Sequence, residues 1–438
     1  MEVVRAIIIG SGSSSSTPFI SCITGNVNNA QPCKSCGDAF QHGGKSKNHR
    51  LNPSFLLELR HPHDRQLHYV VIDIGKTFRE CALKLFNTNL YQKDSPRKNG
   101  PTYNPLEELH LKVRDISGVL LTHDHADACF GMDDLREFNR QDMLDRLEVQ
   151  EGDQTREVLL PAGMPIAADF KTLTSVHRVF PYLFSQAQFD AIAKEEEERA
   201  SNPGKEVKPS RTQEGAAVGS GWNFREKNTT WTAALQFNCF HSLEKESLLI
   251  TARHKVDQSK NGTLSLPAAE AAKFTAPFHF VPIGVLHGKN YYSNAFVFRL
   301  SPSPCKGTPL FLLYVSDVSF IDHAEFGRQV RESQLQLLSE TERQSYQQTI
   351  GKEGYPPVEV LVLDMLSDRP YVSHVSVGES VAIATAIGAR HTYFVGMSHS
   401  LEYTETNERL RNMNVADRME MGYDGCVVYD AQRTSSNI

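Results

Sequence analysis

Leu120-Leu121-Thr122-His123-Asp124-His125-Ala126-Asp127-Ala128 is the stretch on which the reading of this chain turns. The apolar run before it, Ile116 to Leu121, reads as a strand buried on both faces, because it is short, continuous and aliphatic. The strand then breaks into His-x-His-x-Asp. Along extended or turning backbone, alternate side chains share a direction. His123 and His125 therefore aim two imidazoles at one point, and Asp127 adds a carboxylate. Imidazole nitrogen with carboxylate oxygen suits zinc, and also manganese or iron. Two His and two Asp in five residues, directly after a strand, make a metal-site pattern rather than a polar loop with chance histidines.

Further along, three more strands end in a donor. Phe278 to Leu286 runs into His287-Gly288, Phe311 to Val315 into Ser316-Asp317, and Val358 to Leu363 into Asp364. A lone His or Asp is usually structural, so the recurrence is what counts. The chain opens on a β-branched strand, Val3 to Ile9, followed by Gly10-Ser11-Gly12-Ser13-Ser14. That loop lacks the lysine of a phosphate-binding P-loop and reads as a tight turn. A hairpin is expected from Ser54 to Asp73, with His61-Pro62-His63-Asp64 as a solvated tip. On that reading His61, His63 and His68 do not form a metal cluster. The helical spacing predicts helices over Phe78 to Leu90, Leu106 to Val113 and Ala128 to Arg146, with a loop from Asp94 to Pro105. Asp133 and Asp134 fall near the start of the third helix, where acidic residues favour the dipole. Ser376-Val377-Gly378-Glu379 is a capping box opening a helix that Gly388 ends.

Cys33-Lys34-Ser35-Cys36 has the knuckle spacing of a structural zinc site, and Cys22 lies nearby. A fourth ligand is needed; His42 and His49 are near in sequence and His399 is a distant candidate.

The chain has 438 residues, 40% hydrophobic and 22% charged, with a formal net charge of −6. That balance offers no basic footprint for stable nucleic-acid binding. No apolar run reaches the ~18 residues of a membrane span. Met1-Glu2-Val3-Val4-Arg5 lacks the start of a signal peptide, and eight Cys are too sparse for a disulfide scaffold. A cytoplasmic enzyme is expected. Lys194-Glu195-Glu196-Glu197-Glu198-Arg199 reads as a solvated helix face, and 201–221 holds almost nothing to bury. The metal motif is completed only after this region. The expectation is therefore one domain over 1–438, carrying a partly disordered insertion at 185–275.

The central stretch, with Gly131-Met132-Asp133-Asp134-Leu135-Arg136 behind it, resembles the His-x-His-x-Asp-His motif of the metallo-β-lactamase fold superfamily. It is most similar to the phosphodiesterase branch related to ribonuclease Z and to the cyclic phosphodiesterases of phosphonate breakdown, and Phe170 to Phe184 resembles the helix that this branch carries after its metal motif. The resemblance covers roughly 1–184 and 276–430 and implies an α/β fold, a four-layer αββα sandwich. It implies metal ligands at His123, His125, Asp127 and His287, with Asp317 shared between two metals. It gives Asp127 a part in orienting the attacking water, makes His374 the acid that protonates the leaving oxygen, and lets Asp73 orient a ligand histidine. It also points to His399 as the residue completing a zinc site with Cys22, Cys33 and Cys36. Two family histidines are replaced, by Ala128 and Gly396, and both belong to the second active-site metal.

The function these readings imply is a metal-dependent hydrolase, zinc being the first candidate metal in the active site. It is expected to cleave a small-molecule or nucleotide phosphodiester, cyclic ones included, with metal-activated water as nucleophile. The alternative is a zinc-stabilised, catalytically weak binding protein on the same fold. Transfer-RNA processing is disfavoured, since the insertion is acidic and polar and carries no basic arm.

Overall fold

The computed structural model describes residues 1–25, 31–62, 65–86, 116–138, 145–151, 154–160, 163–201, 233, 235–251, 263–267, 275–301, 309–350, 358–413 and 418–432. The loop expected at Asp94 to Pro105, the helix at Leu106 to Val113, and most of 201–221 lie outside the described residues. Strands run in order as β1 Val3–Gly10, β2 Ser54–Arg60, β3 Leu67–Ile72, β4 Ile116–Leu120, β5 Asp145–Glu151 and β6 Gln154–Leu160. They continue as β7 Met164–Ala168, β8 Leu235–Cys239, β9 Glu246–Thr251, β10 Thr263–Pro267, β11 Thr275–Leu286 and β12 Tyr292–Leu300. The last are β13 Leu310–Val315, β14 Val358–Asp364, β15 His391–Val395, β16 Met419–Met421 and β17 Cys426–Asp430.

The main ladder runs β16-β15-β14-β13-β12-β1-β2-β3-β4-β7-β8, with β11 on β12, β9 on β11 and β17 on β1. Strands β10, β5 and β6 form a separate sheet. β1 meets β12 at a single registered pair, Val3 with Leu300. There the ladder folds over on itself. Phe55 of β2 and Tyr314 of β13 are three strands apart in that order, yet their rings stack at 5.1 Å. The two halves thus face each other across a core that includes Ile7, Leu57, Val70, Phe278, Phe296 and Phe298.

Alternation along the second half buries its other face too. Phe296 and Phe298 point into the central core, whereas Ala295 and Val297 join Val281, Leu313 and Leu361 in a second core. Helices His323–Gln336, Val377–Ile387 and Tyr403–Asn412 contribute Phe326, Val330, Ile383 and Leu410 to that outer core. On the first half, helices Phe78–Phe86 and Phe170–Val179 supply Phe78, Leu173 and Val176. The layers read helix, sheet, sheet, helix, the expected αββα sandwich. Strands with both faces covered explain why they read as continuous apolar runs.

Several local readings need correction. The single helix expected over Ala128 to Arg146 is instead a helix Ala126–Cys129, a 3-10 turn Met132–Glu137 and then β5. Gly131 donates its N–H to the Ile74 carbonyl at 2.7 Å and packs so closely on Gly75 and Phe78 that the chain must turn there. His61 and His68 are buried rather than solvated. The hairpin lies under β9 and beside β4, so His61 Nε2 meets the Ile250 carbonyl at 3.1 Å and His68 Nδ1 meets Ser117 Oγ at 2.8 Å. His63 lies outside the described residues. The helix expected over Phe170 to Phe184 stops at Val179, and a turn carries Phe184 into the core. Within 185–275, residues Gln186–Ser201 form a helix, and β8 and β9 belong to the main sheet. Among the described residues no helix is long and apolar enough to cross a membrane.

Candidate functional site

β3, β4, β11, β13 and β14 all end on one edge of the sandwich, and their ends carry the polar residues of the cluster. Asp73 follows β3 with φ near 61° and stays fully inside. Its carboxylate accepts the Thr122 N–H at 2.8 Å and the Thr122 hydroxyl at 2.8 Å. Thr122 Oγ1 also lies 2.8 Å from His123 Nδ1. With Asp73 ionised, the one hydroxyl proton goes to it, and His123 then carries its proton on Nδ1 and donates it to Thr122. That leaves the Nε2 lone pair free. Nε2 is buried and has no hydrogen-bond partner among the described residues. Burial lowers the His123 pKa well below the ordinary histidine value, and the charges of His287 and His125 lower it further, which keeps the ring neutral.

His287 is fixed in the same way: its Nδ1 donates to the Ser373 carbonyl at 2.7 Å, and its Nε2 lies 3.3 Å from His125 Nδ1. The three ring nitrogens of His123, His125 and His287 lie within 4.8 Å of one another. Asp127 Oδ1 is 4.0 Å from His123 Nε2. Asp317, with φ near 53°, groups with His287 and His374 within the same 4.8 Å limit. Burial and then the charge of Asp317 push Asp127 up to about 6, and burial pushes Asp317 up as well. An orphaned imidazole nitrogen aimed at crowded, buried carboxylates is what a divalent cation resolves. The residues present fit a metal ion at His123, His125 and His287, with Asp127 and Asp317 alongside.

A second ion finds less. Ala128 is buried and offers no donor atom from its side chain. Gly396 sits at φ near 74°, and a Cβ there would fall inside the van der Waals envelope of Asp364 Oδ1. No histidine fits at 396 while Asp364 stays where it is. Asp364 ends β14 as the other strand ends suggested, but it turns to His374: its Oδ2 accepts from His374 Nδ1 at 2.8 Å. His374 Nε2 then faces Asp317 Oδ1 at 4.0 Å. Burial pulls the His374 pKa down, but Asp364, through charge and hydrogen bond, outweighs it. With Asp317 and Asp127 it holds the ring at about 9.

Elsewhere, Cys22, Cys33, Cys36 and His399 bring their ligand atoms within 4.8 Å of one another. Cys33 Sγ lies 3.3 Å from His399 Nδ1, the Cys33 N–H donates to Cys22 Sγ at 3.2 Å, and the Phe19 N–H donates to Cys36 Sγ at 3.2 Å. Phe19 stacks on the His399 ring at 4.7 Å. Burial opposes ionisation at both sulfurs: the hydrogen bonds outweigh it and lower the Cys22 pKa, whereas Cys36 is pushed up to about 12 in spite of the Phe19 N–H. Of the two nearer candidates, His42 bonds Asp38 at 2.9 Å and His49 faces Glu80 at 3.5 Å. The Gly-Ser turn of the N-terminus holds the loop that carries His399: Met397 N donates to the Ser11 carbonyl, and Ser13 N to the Met397 carbonyl.

Sequence reasoning missed the residues that support the cluster. Asp124, between the two histidines, points the other way and accepts the hydroxyls of Ser175 and Tyr291. Strand alternation predicts that reversal, but nothing local names its partners. Ser373, Thr122 and Tyr291 carry no sequence signal of their own.

A further polar cluster lies apart from both. His241 Nε2 is 2.7 Å from Glu196 and its Nδ1 is 3.2 Å from Glu246, with Cys239 beside them. Burial pulls its pKa down, yet the hydrogen bonds to Glu246 and Glu196 outweigh that and leave it above the ordinary value. A raised pKa contributes stability that is fully present below the unfolded value of roughly 6.5 and is lost as pH rises through the folded value. His241→Gln is therefore expected to cost about 1 kcal/mol at pH 6 and less at pH 9. Urea unfolding at both pH values checks this; an equal cost at both would mean that no imidazolium is involved.

A family model described as the beta-lactamase superfamily domain matches residues 85–234. No curated protein matches the chain. Among solved structures, a diphosphatase from the PhnP family superposes with a TM-score of 0.50 at 19% identity, covering 97% of each chain. Zinc-bound PqqB from Methylobacterium extorquens gives 0.47 at 11% identity, over 97% of this chain and 99% of its own. The short form of human tRNase Z gives 0.39 at 10% identity, over 97% and 98%. At 19% identity the likeness to the diphosphatase carries the fold and not the activity.

Proposed function

We propose that this chain, which has the metallo-β-lactamase fold, is a metal-dependent hydrolase of small-molecule or nucleotide phosphodiesters. The observation that carries the reading is His374. Its Nδ1 is held by Asp364, whose charge and hydrogen bond raise the pKa against the pull of burial, and its Nε2 turns toward Asp317, so the ring is placed to donate a proton. An alkoxide leaving group needs such a donor. His123, His125 and His287 would hold the ion by nitrogen, with Asp317 and Asp127 as oxygen donors beside them. Zinc, manganese or iron bound there supplies Lewis-acid charge and makes water nucleophilic near neutral pH. Asp127 would orient the attacking water by accepting its hydrogen bond. Asp73 acts through Thr122 to fix the His123 tautomer, and Ser373 does the same for His287. A diphosphatase built on this fold agrees with phosphoryl chemistry.

The test is to load purified protein separately with zinc, manganese and iron. It is then assayed on bis(p-nitrophenyl) phosphate, a cyclic nucleotide monophosphate and p-nitrophenyl acetate. Hydrolysis of the phosphodiesters in preference to the carboxylate ester is expected. Full metal occupancy without hydrolysis of any phosphodiester overturns it and leaves the second reading, a metal-stabilised binding protein. Ala128 and Gly396 are what favour that second reading.

Cys22, Cys33, Cys36 and His399 make the structural zinc site on this reading. Cys33→Ser should release one zinc per chain and lower the thermal midpoint by several degrees, since structural zinc contributes folding energy. The kcat of the protein that remains folded should stay close to wild type. A large loss of kcat at unchanged thermal midpoint removes the structural role.

A further inference from the structure

We infer that Lys171 and Tyr291 form an anion subsite at the mouth of the metal cluster, and that it receives a second negatively charged group of the substrate. The inference rests on reading that cluster as a centre that meets a phosphate. Tyr291 lies flat on the exposed His125 ring, with centroids 4.6 Å apart and planes 11° from parallel. Its hydroxyl is tied to Asp124, which Ser175 holds from the other side. The ring is thus fixed at both its face and its tip. Lys171 sets its ammonium on this ring, 3.2 Å from the centroid.

The turn that carries Lys171 is itself clamped to the metal motif. Asp169 caps the helix Phe170–Val179 and accepts from Asn294 Nδ2 at 2.7 Å, and the same Nδ2 lies 2.9 Å from the Thr122 carbonyl. Lys171 is exposed and makes no ion pair with a described carboxylate. An aromatic face attracts a cation but is no conventional acceptor, so the N–H groups of the ammonium that are not turned to the ring stay available to a ligand. The charge of Lys171 is felt at His123 and His125. The ammonium shares the Tyr291 ring with the exposed His125 imidazole, at 3.2 Å from the ring centroid against 4.6 Å for the imidazole. It therefore meets an anionic group a few bonds beyond the scissile phosphorus rather than that phosphorus itself.

Phosphate and carboxylate are the two chemical sources of such a group, and binding measurements separate them. The probes are inorganic phosphate, methylenediphosphonate and phosphonoacetate, titrated calorimetrically into the zinc-loaded protein, with metal content measured again afterwards. Wild type is expected to bind a two-anion probe more tightly than phosphate. Lys171→Gln should weaken that probe about tenfold or more and phosphate by less than about threefold, at unchanged metal content. Lys171→Arg should keep most of the preference. Loss confined to methylenediphosphonate assigns the subsite to phosphate; loss on both two-anion probes assigns it to any anion. Equal weakening of all three probes by Lys171→Gln, no weakening at all, or no binding of any probe overturns the inference. Binding is read without turnover, so a protein that cleaves no phosphodiester but shows the Lys171 dependence loses only its proposed function. An active enzyme indifferent to Lys171→Gln loses only the subsite.

Discussion

Purified His123→Ala and His287→Ala proteins are expected to hold one metal ion fewer per chain than wild type. They should hydrolyse phosphodiesters slower by on the order of 10²-fold or more. Each residue offers one of three ring nitrogens gathered within 4.8 Å, and each has its other nitrogen engaged so that the free lone pair faces the cluster. Losing a partner one step further out costs about 10–100-fold in affinity or rate, so losing the nitrogen itself should cost more. Asp73→Asn and Thr122→Val supply that outer step and should fall between wild type and His123→Ala. Elemental analysis beside kinetics decides the matter. Full metal content with the rate lost takes His123 out of the metal site. The wild-type count is informative too. Two ions per chain match one in each cluster, the count that Ala128 and Gly396, with Asp364 beside it, favour. Three ions would mean that a second active-site ion binds without either histidine.

The strand ends were legible because both faces of the sandwich strands are covered. A strand buried on both sides reads as an unbroken apolar run, and the residue at which the run stops is where side chains can turn polar. His123, His287, Asp317 and Asp364 all stand at such stops. What each donor does after the stop was not legible. Asp364 read as one more donor of the same kind as Asp317. In three dimensions it fills the place beside Gly396 and turns its other oxygen to His374. No spacing in the chain encodes that choice, because it depends on how β14, β15 and the loop before Val377–Ile387 pack. The buried pair His61 and His68 was misread for a related reason. Polar neighbours and Pro62 predict a solvent-facing tip, and only the cover given by β9 and β4 overrides it. Gly131 shows the same override for a helix: its apolar spacing continues, but its N–H is taken by Ile74.

His374→Ala should leave the metal content unchanged and cut the rate on the order of 10²–10⁴-fold on a substrate with a poor alkoxide leaving group. The imidazole touches Asp364 through Nδ1 and turns Nε2 toward Asp317, so removing it strips no nitrogen from the three-histidine cluster. The loss should shrink on a p-nitrophenyl ester, because p-nitrophenolate departs with little need of a proton. The pH profile gives an independent sign. A general acid works while protonated, so the rate falls as pH rises through its pKa. Burial pulls that pKa down, and Asp364, through charge and hydrogen bond, raises it above the ordinary histidine value. Asp364→Asn keeps the shape and removes the charge, so the alkaline limb of the pH–rate profile should move to lower pH. The poor leaving group should suffer most above that limb. The same shift should be absent in His374→Ala, which has no limb left to move. Equal loss on good and poor leaving groups in His374→Ala would take the acid role away from this residue. An Asp364→Asn profile superimposable on wild type would show that Asp364 does not hold the imidazole in its protonated form.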